Sequence, residues 1–405
     1  ANGVKSLYSN TTGACNVAIG RAALYENTTG LRNVAVGMNA GDNNTTGCDN
    51  TIVGHYAFKT NTTGHSNTAL GVQSLYSNTT GTKNTATGLN AMYSNTTGTY
   101  NTAYGRTSMY SNTTGTSNAA FGMHALHGNT TGTLNTAVGY ASLHCSTTAS
   151  YDTAVGSCAL YANTTGANNT AVGYNALKDT TSGKYNTGVG SHTIRDNTTG
   201  DKNIALGTWA LHNNTTASCN TAVGYYALAV NTTGANNTAS GTAALGANTT
   251  GTSNAAFGYQ ALKSSTTAGY NTAVGKDALT ANTTGDHNVG VGRQVLLSNT
   301  TASCNTAIGA RALAFNTTGA GNTASGFYAL KANTTGGTNN AVGGYAMVAN
   351  TTGEHNVAMG NSALGANTTA NENTAIGHNT LYSNTTGASN TGIGFRTLCA
   401  STTAS

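Results

Sequence analysis

The chain has 405 residues, of which 53 are glycine, none is proline and only 7% are charged, with a net charge of +5 and 38% hydrophobic residues. Globular domains carry roughly 25% charged residues and about 5% proline, so a conventional globular fold is disfavoured. The hydrophobic content speaks against disorder, the missing proline and irregular glycine spacing exclude collagen, and no dense basic stripe invites nucleic acid. No run approaches 18 apolar residues, so membrane insertion is not expected either.

Asn-Thr-Thr-Gly recurs at Asn10, Asn27, Asn44 and Asn61, and every 17 residues onward to the degenerate Ser401-Thr402-Thr403-Ala404, giving 23 complete repeats without insertion or deletion. A period that never slips marks a repeat architecture. Seventeen residues holding two glycines and a run of Asn and Thr cannot make a helix pair. The expected fold is therefore all-β: a parallel β-solenoid of 17 residues per coil and about 24 coils, continuous over residues 1–405 as a single domain. Coils would stack roughly 4.8 Å apart into a rod on the order of 110 Å long.

With the Asn of Asn-Thr-Thr-Gly as column 1, the elements follow in chain order. Columns 1 to 4 form a turn. Asn-Thr-Thr is also an N-glycosylation sequon, at Asn10, Asn27, Asn61, Asn78, Asn95 and Asn112 among others, with Ser146, Thr180, Ser265 and Ser401 as exceptions. Either glycans coat the rod, or Asn and Thr stack as hydrogen-bonding ladders. Branched sugars roughly every 4.8 Å would collide, which favours the ladder and leaves glycans for a subset of Asn or Thr. Column 4 becomes Ala at Ala149, Ala217, Ala268, Ala302, Ala370 and Ala404, each followed by Ser, Gly or Asn. That pairing suggests a turn in which the permissive residue moves one place along. Threonine ranks raise ice binding, but columns 2 and 3 are adjacent, so only one can point outward.

Columns 5 and 6 open the first of three corners. Of the 27 charged residues, 26 lie in columns 5, 6, 12, 13, 16 and 17, which should face water. Columns 7 to 11 read as a strand. Column 7 is Asn, as at Asn16, Asn33 and Asn169, with Asp152 the one exception; column 9 is Ala or Gly except at Ile52; column 10 is mostly apolar. Column 11 is glycine throughout, as at Gly20, Gly37, Gly122 and Gly173, and must serve positive φ or a close backbone approach. Neither face of this strand looks wet. One side can pack on the coil's core with column 15, typified by Leu160 and blank only at Gly41, so columns 9, 10 and 15 are expected to be buried. The other side calls for a partner, and a homo-oligomer supplies it.

Column 16 places Tyr76, Tyr93 and Tyr110 in three successive coils, a candidate surface stripe for carbohydrate or a receptor. His127 and His144 follow beside Cys145, a pair read as solvated surface residues without acidic ligands. The seven cysteines share no column in neighbouring coils, so the fold should not depend on disulfides. The 11 acids are scattered, leaving no carboxylate pair for acid and base work. No enzyme activity, metal or cofactor is expected.

Asn16-Val17-Ala18-Ile19-Gly20, Asn33-Val34-Ala35-Val36-Gly37 and Asn356-Val357-Ala358-Met359-Gly360 resemble the head-domain repeats of trimeric autotransporter adhesins and related phage and cell-surface fibres. That resemblance implies a left-handed β-roll trimerising through the small-residue strand. The coil here is longer and carries the added Asn-Thr-Thr-Gly, and residues 1–405 include no segment that reads as a stalk, coiled coil or membrane anchor.

The functional expectation is a structural, extracellular or cell- or virion-surface fibre protein whose partner is itself, with glycans as further candidates. An adhesin or phage-fibre head binding a glycan or receptor is the alternative, and an ice-binding protein the third. Residues 1–9 fill columns 9 to 17 and residues 401–405 fill columns 1 to 5, so end-to-end stacking of coils into a filament is also expected.

Overall fold

A computed structural model describes residues 1–403, so Ala404, the last of the column-4 alanines, lies outside the described residues. The protein is an all-β, parallel β-solenoid. It comprises two compact units, Ala1–Lys202 and Asn203–Ser405. Every strand has three residues and occupies columns 8 to 10. The first unit holds β1 (Val17–Ile19) to β11 (Thr187–Val189), and the second β12 (Ile204–Leu206) to β23 (Thr391–Ile393). Within each unit, strands pair in parallel with a register of one repeat: Val17 faces Val34, and Thr221 faces Thr238. Identical columns therefore stack on one another, and a column of sequence is a line in space.

Three residues of strand are followed by a sharp turn because the backbone goes positive in φ four times per coil. Column 11 glycines lie at φ from 117° to 147°, and columns 6, 13 and 15 lie in the left-handed region, for example Tyr100 at 60°, Gln73 at 56° and Leu160 at 50°. Both sequence arguments for the column-11 glycine hold. At Gly122, φ is 138°, and a Cβ would stand 2.5 Å from the carbonyl oxygen of Gly139 in the next coil. Column 4 is different: its φ is not positive, and a Cβ at Gly98 would strike its own coil's Asn95 Oδ1 and the Gly115 oxygen. The expected shift of a permissive residue to column 5 is not what happens. Neither Ala149 nor Ser150 has positive φ. Where column 5 is Ser150 or Asn371, its side chain instead takes up a backbone donor of the preceding coil: Ser150 Oγ accepts from the Thr133 N–H at 3.0 Å, and Asn371 Oδ1 accepts from the Glu354 N–H at 2.8 Å.

The core is thin. Columns 9, 14 and 15 are closed to solvent, as at Ala154, Ala159 and Leu160, each Leu contributing roughly 1.5–3 kcal/mol. Where column 14 is Ser, the hydroxyl donates to the column-11 carbonyl three residues back, as from Ser74 to Gly71 and Ser108 to Gly105, both 3.0 Å. Column 10 corrects the sequence expectation. In a three-residue strand only the middle side chain points inward, so Phe121, Val138 and Ile308 are 42%, 37% and 46% exposed.

Candidate functional surfaces

The turn columns build the inside of the coil. Asn27, Asn61, Asn78, Asn95 and Asn112 are wholly buried and Asn10 is half-buried. Each of the five buried ones donates Nδ2 to the Oδ1 of the Asn one coil before, as from Asn27 to Asn10 (2.9 Å), Asn61 to Asn44 (2.7 Å) and Asn112 to Asn95 (2.7 Å), and also to the carbonyl that closes its own turn. A sugar on that nitrogen replaces one of its two hydrogens and so removes at least one of these bonds in the folded coil, and the ladder and the glycan compete for one atom. Column 7 forms a second ladder. Asn16 and Asn33 send Nδ2 to Gly30 and Gly47 of the next coil at 2.8 Å, and Asn169 to Gly183 at 2.9 Å, while each Oδ1 accepts the next column-7 backbone N–H. Threonine divides as its position requires. Column-2 hydroxyls donate to the next coil's column-2 carbonyl, as from Thr79 to Thr96 at 3.1 Å, whereas column-3 side chains such as Thr80 and Thr97 face water. One hydroxyl rank, not two, points outward.

Asp152, the single charge outside the corner columns, sits in the column-7 ladder with no exposed surface. It accepts from the Asn169 backbone N–H and the Asn163 Nδ2, both at 2.8 Å. Burial pushes its carboxyl up to about 7 against these stabilising bonds. Ser146 stands in column 1 of the same coil. It cannot reach back as Asn does, so Asn129 Oδ1 and Ser146 Oγ find no protein partner.

The outward side of the strand pairs a mostly apolar column 10 with a column 8 that is threonine in 15 of the 23 strands. Columns 8 and 10 show Val17, Tyr104, Phe121, Val138 and Val155 in the first unit, and Ile204, Leu206, Phe257 and Val274 in the second, all exposed. Rings stack along it where they meet, as Tyr104 and Phe121 do at 6.3 Å.

Column 16 gives the longest aromatic array. Tyr76, Tyr93, Tyr110, His127, His144 and Tyr161 stack face to face at 4.9 to 5.3 Å with interplanar angles of 6° to 8°. Lys59 Nζ caps the Tyr76 end, 3.5 Å from its hydroxyl. The sequence identified the three tyrosines, and the array continues through the histidines. Its geometry argues against sugars stacking on Tyr93 and Tyr110, because both faces of those rings are covered by neighbours and only the edges are presented outward. His124, which the sequence did not connect to the pair, joins them from column 13, with ring centroids 5.6 Å from His127 and 5.9 Å from His144. Burial lowers the His127 and His144 pKa values, and the neighbouring imidazoles add to it.

Cys145 and Cys158 are free thiols, as are the other five cysteines, and burial pushes the Cys145 thiol up. Among the described residues no group of three or more His, Cys, Asp or Glu is placed to hold a metal ion, and no helix is long and apolar enough to cross a membrane. No family model matches the chain. No curated protein matches it either.

Proposed function

We propose that the chain is a structural protein, a β-solenoid building block of an extracellular or surface fibre that acts by self-association and not by catalysis. The observation that carries this reading is the mostly apolar outward line of column 10. Each strand buries its middle residue in its own coil, and column 10 turns an apolar or aromatic residue outward in every strand but those ending in Thr87, Ser240 and Ser325. An apolar line of this length, broken at only three strands, is an interaction surface, and a line repeating at the coil spacing is matched by another copy of itself. The resemblance to trimeric adhesin heads supplies the number three, the left-handed roll and the surface location. The exposed aromatic corners favour a second reading, a fibre head that also presents one corner to a receptor or glycan.

The test is the mass of the chain in solution by light scattering, alone and with Val138→Lys and Val155→Lys together. Oligomers of about three chains that the lysines dissociate would agree. A monomer at high concentration, or an oligomer indifferent to both lysines, would remove the reading.

A further inference from the structure

We propose that the second unit carries a binding notch for an acidic sugar, a pyranose bearing a carboxylate, between Tyr226 and Lys263. The inference goes beyond the fibre reading and does not depend on it, because the notch lies on a corner and not on the apolar strand line.

The notch arises from a coincidence in two columns. Column 13 runs Trp209, Tyr226, Ala243, and column 16 runs His212, Ala229, Gly246, Lys263. These columns stand side by side on one corner, as the 4.3 Å contact between the Trp209 and His212 rings shows. Where both fall to small residues, at Ala243 and Gly246, the ridge opens into a cavity of about 310 Å³ bordered also by Tyr225, Tyr226, Thr242 and Lys263. That volume is at the small end of ligand sites, which run from about 300 to 1,000 Å³. A smaller hollow of about 190 Å³ lies on the other side of Tyr226, against Trp209 and Val230.

Backbone demands do not account for the glycine. Gly246 is not a positive-φ position, and its column holds Leu297 and Tyr382 elsewhere. What glycine provides there is space. Tyr226 lies on Trp209 with one face, at 5.9 Å and 10°. The next residue of its column is Ala243, so no ring of its own column covers the other face. This is the reverse of the column-16 array, in which successive rings cover each other. Tyr225 lies across Tyr226, with ring centroids 4.5 Å apart and an interplanar angle of 71°.

A flat apolar wall with hydroxyls and one amine around it fits a ring that is apolar on its face and polar around its rim, which describes a pyranose. The phenol of Tyr225 and the hydroxyl of Thr242 can hydrogen-bond to sugar hydroxyls. Lys263 is the one charged residue bordering the cavity, so the complementary ligand is an anion, and a carboxylate on the sugar ring supplies it.

The experiment is calorimetric titration of the full chain with short oligomers of galacturonate and of glucuronate, beside their neutral galactose and glucose counterparts. The expected result is saturable binding of an acidic oligomer, at least tenfold tighter than its neutral counterpart and weakened by salt. Gly246→Leu, which fills the notch with a side chain the column accepts at Leu297, should weaken it at least tenfold while the circular dichroism is unchanged. Lys263→Gln should bring the acidic probe down to the neutral one, and Tyr226→Ala should weaken both. Absence of saturable binding by all four probes, equal affinity for acidic and neutral sugars, or binding that survives Gly246→Leu would each overturn the proposal. Monomeric and oligomeric samples can both be titrated, so failure of the fibre reading leaves this test intact.

Discussion

Ile52 fills the place that Gly41 leaves empty: its Cδ1 lies 2.8 Å from where a Cβ on Gly41 would stand, and Leu24 Cδ2 lies 3.0 Å from the same point. Gly41 is the one column-15 position without a large side chain, and Ile52 is the one column-9 position larger than alanine. Ile52→Ala should therefore open a cavity and cost about 2–5 kcal/mol. Gly41→Leu should destabilise by overpacking, although its φ of 62° suits the column. The two together should recover most of the loss, because they restore the ordinary pair. Thermal or denaturant unfolding of the two single variants and the double variant measures the coupling, and simple additivity would contradict the contact.

Asp152→Asn should stabilise the first unit at neutral pH and make little difference near pH 4. A carboxyl raised to about 7 in the folded chain holds its proton more tightly there than in the unfolded chain. Stability is then full below the unfolded carboxyl range and falls as pH rises toward 7, by up to a few kcal/mol. Denaturant midpoints of both proteins from pH 4 to 8 should converge on the acid side and separate on the neutral side.

The histidine pair carries the opposite sign. His127 and His144 have lowered pKa values, so the folded chain resists protonating them and their contribution is lost as pH falls through the ordinary histidine range. Replacing both with tyrosine, which extends the ring array with its own commonest member, should remove that acid-side loss. Histidine Cε1 proton shifts across the titration check the direction, and midpoints at or above those of a free histidine would contradict it.

Backbone sign gives a third kind of test. Gly122→Val should break the local ladder at a cost of a few kcal/mol, since φ is 138° and the next coil's carbonyl occupies the site of the Cβ. Gln73→Gly should do the reverse of the usual glycine substitution. A left-handed conformation costs an L-residue about 1–2 kcal/mol, against about 0.5–1 kcal/mol for glycine's extra chain entropy. The variant should be neutral to about 1 kcal/mol more stable in unfolding experiments.

Much of this architecture was legible because the columns act as an internal alignment. The fixed spacing between Asn10 and Asn27 already contained the register of Val17 on Val34, and the positions of the charges located the corners. What could not be read was direction within a short strand. Val138 and Ala137 are both apolar, but only the geometry of a three-residue strand decides that Ala137 is buried while Val138 is not. Left-handed residues were equally hidden, since Gln73 and Leu160 do not advertise positive φ as Gly122 does. Relations across columns, such as His124 with His144, Ile52 with Gly41 and Tyr226 with Gly246, join residues on different faces of the pattern, and the repeat period is silent about them.

The inter-coil hydrogen bonds have a consequence under load. From Thr85 to Asn101, Met92 to Ser108 and Thr96 to Thr113 they run from one coil to the next, so a pull on one end of a unit would peel coils in turn and not shear the whole at once. Each release would lengthen the tether by about 17 times 3.3–3.6 Å, which is 56–61 Å. A force trace would then be a sawtooth with one tooth per repeat. Its lowest teeth should fall at the coils starting with Ser146, Thr180 and Ser265, where the asparagine before each, Asn129, Asn163 and Asn248, offers an Oδ1 that the next coil does not take up.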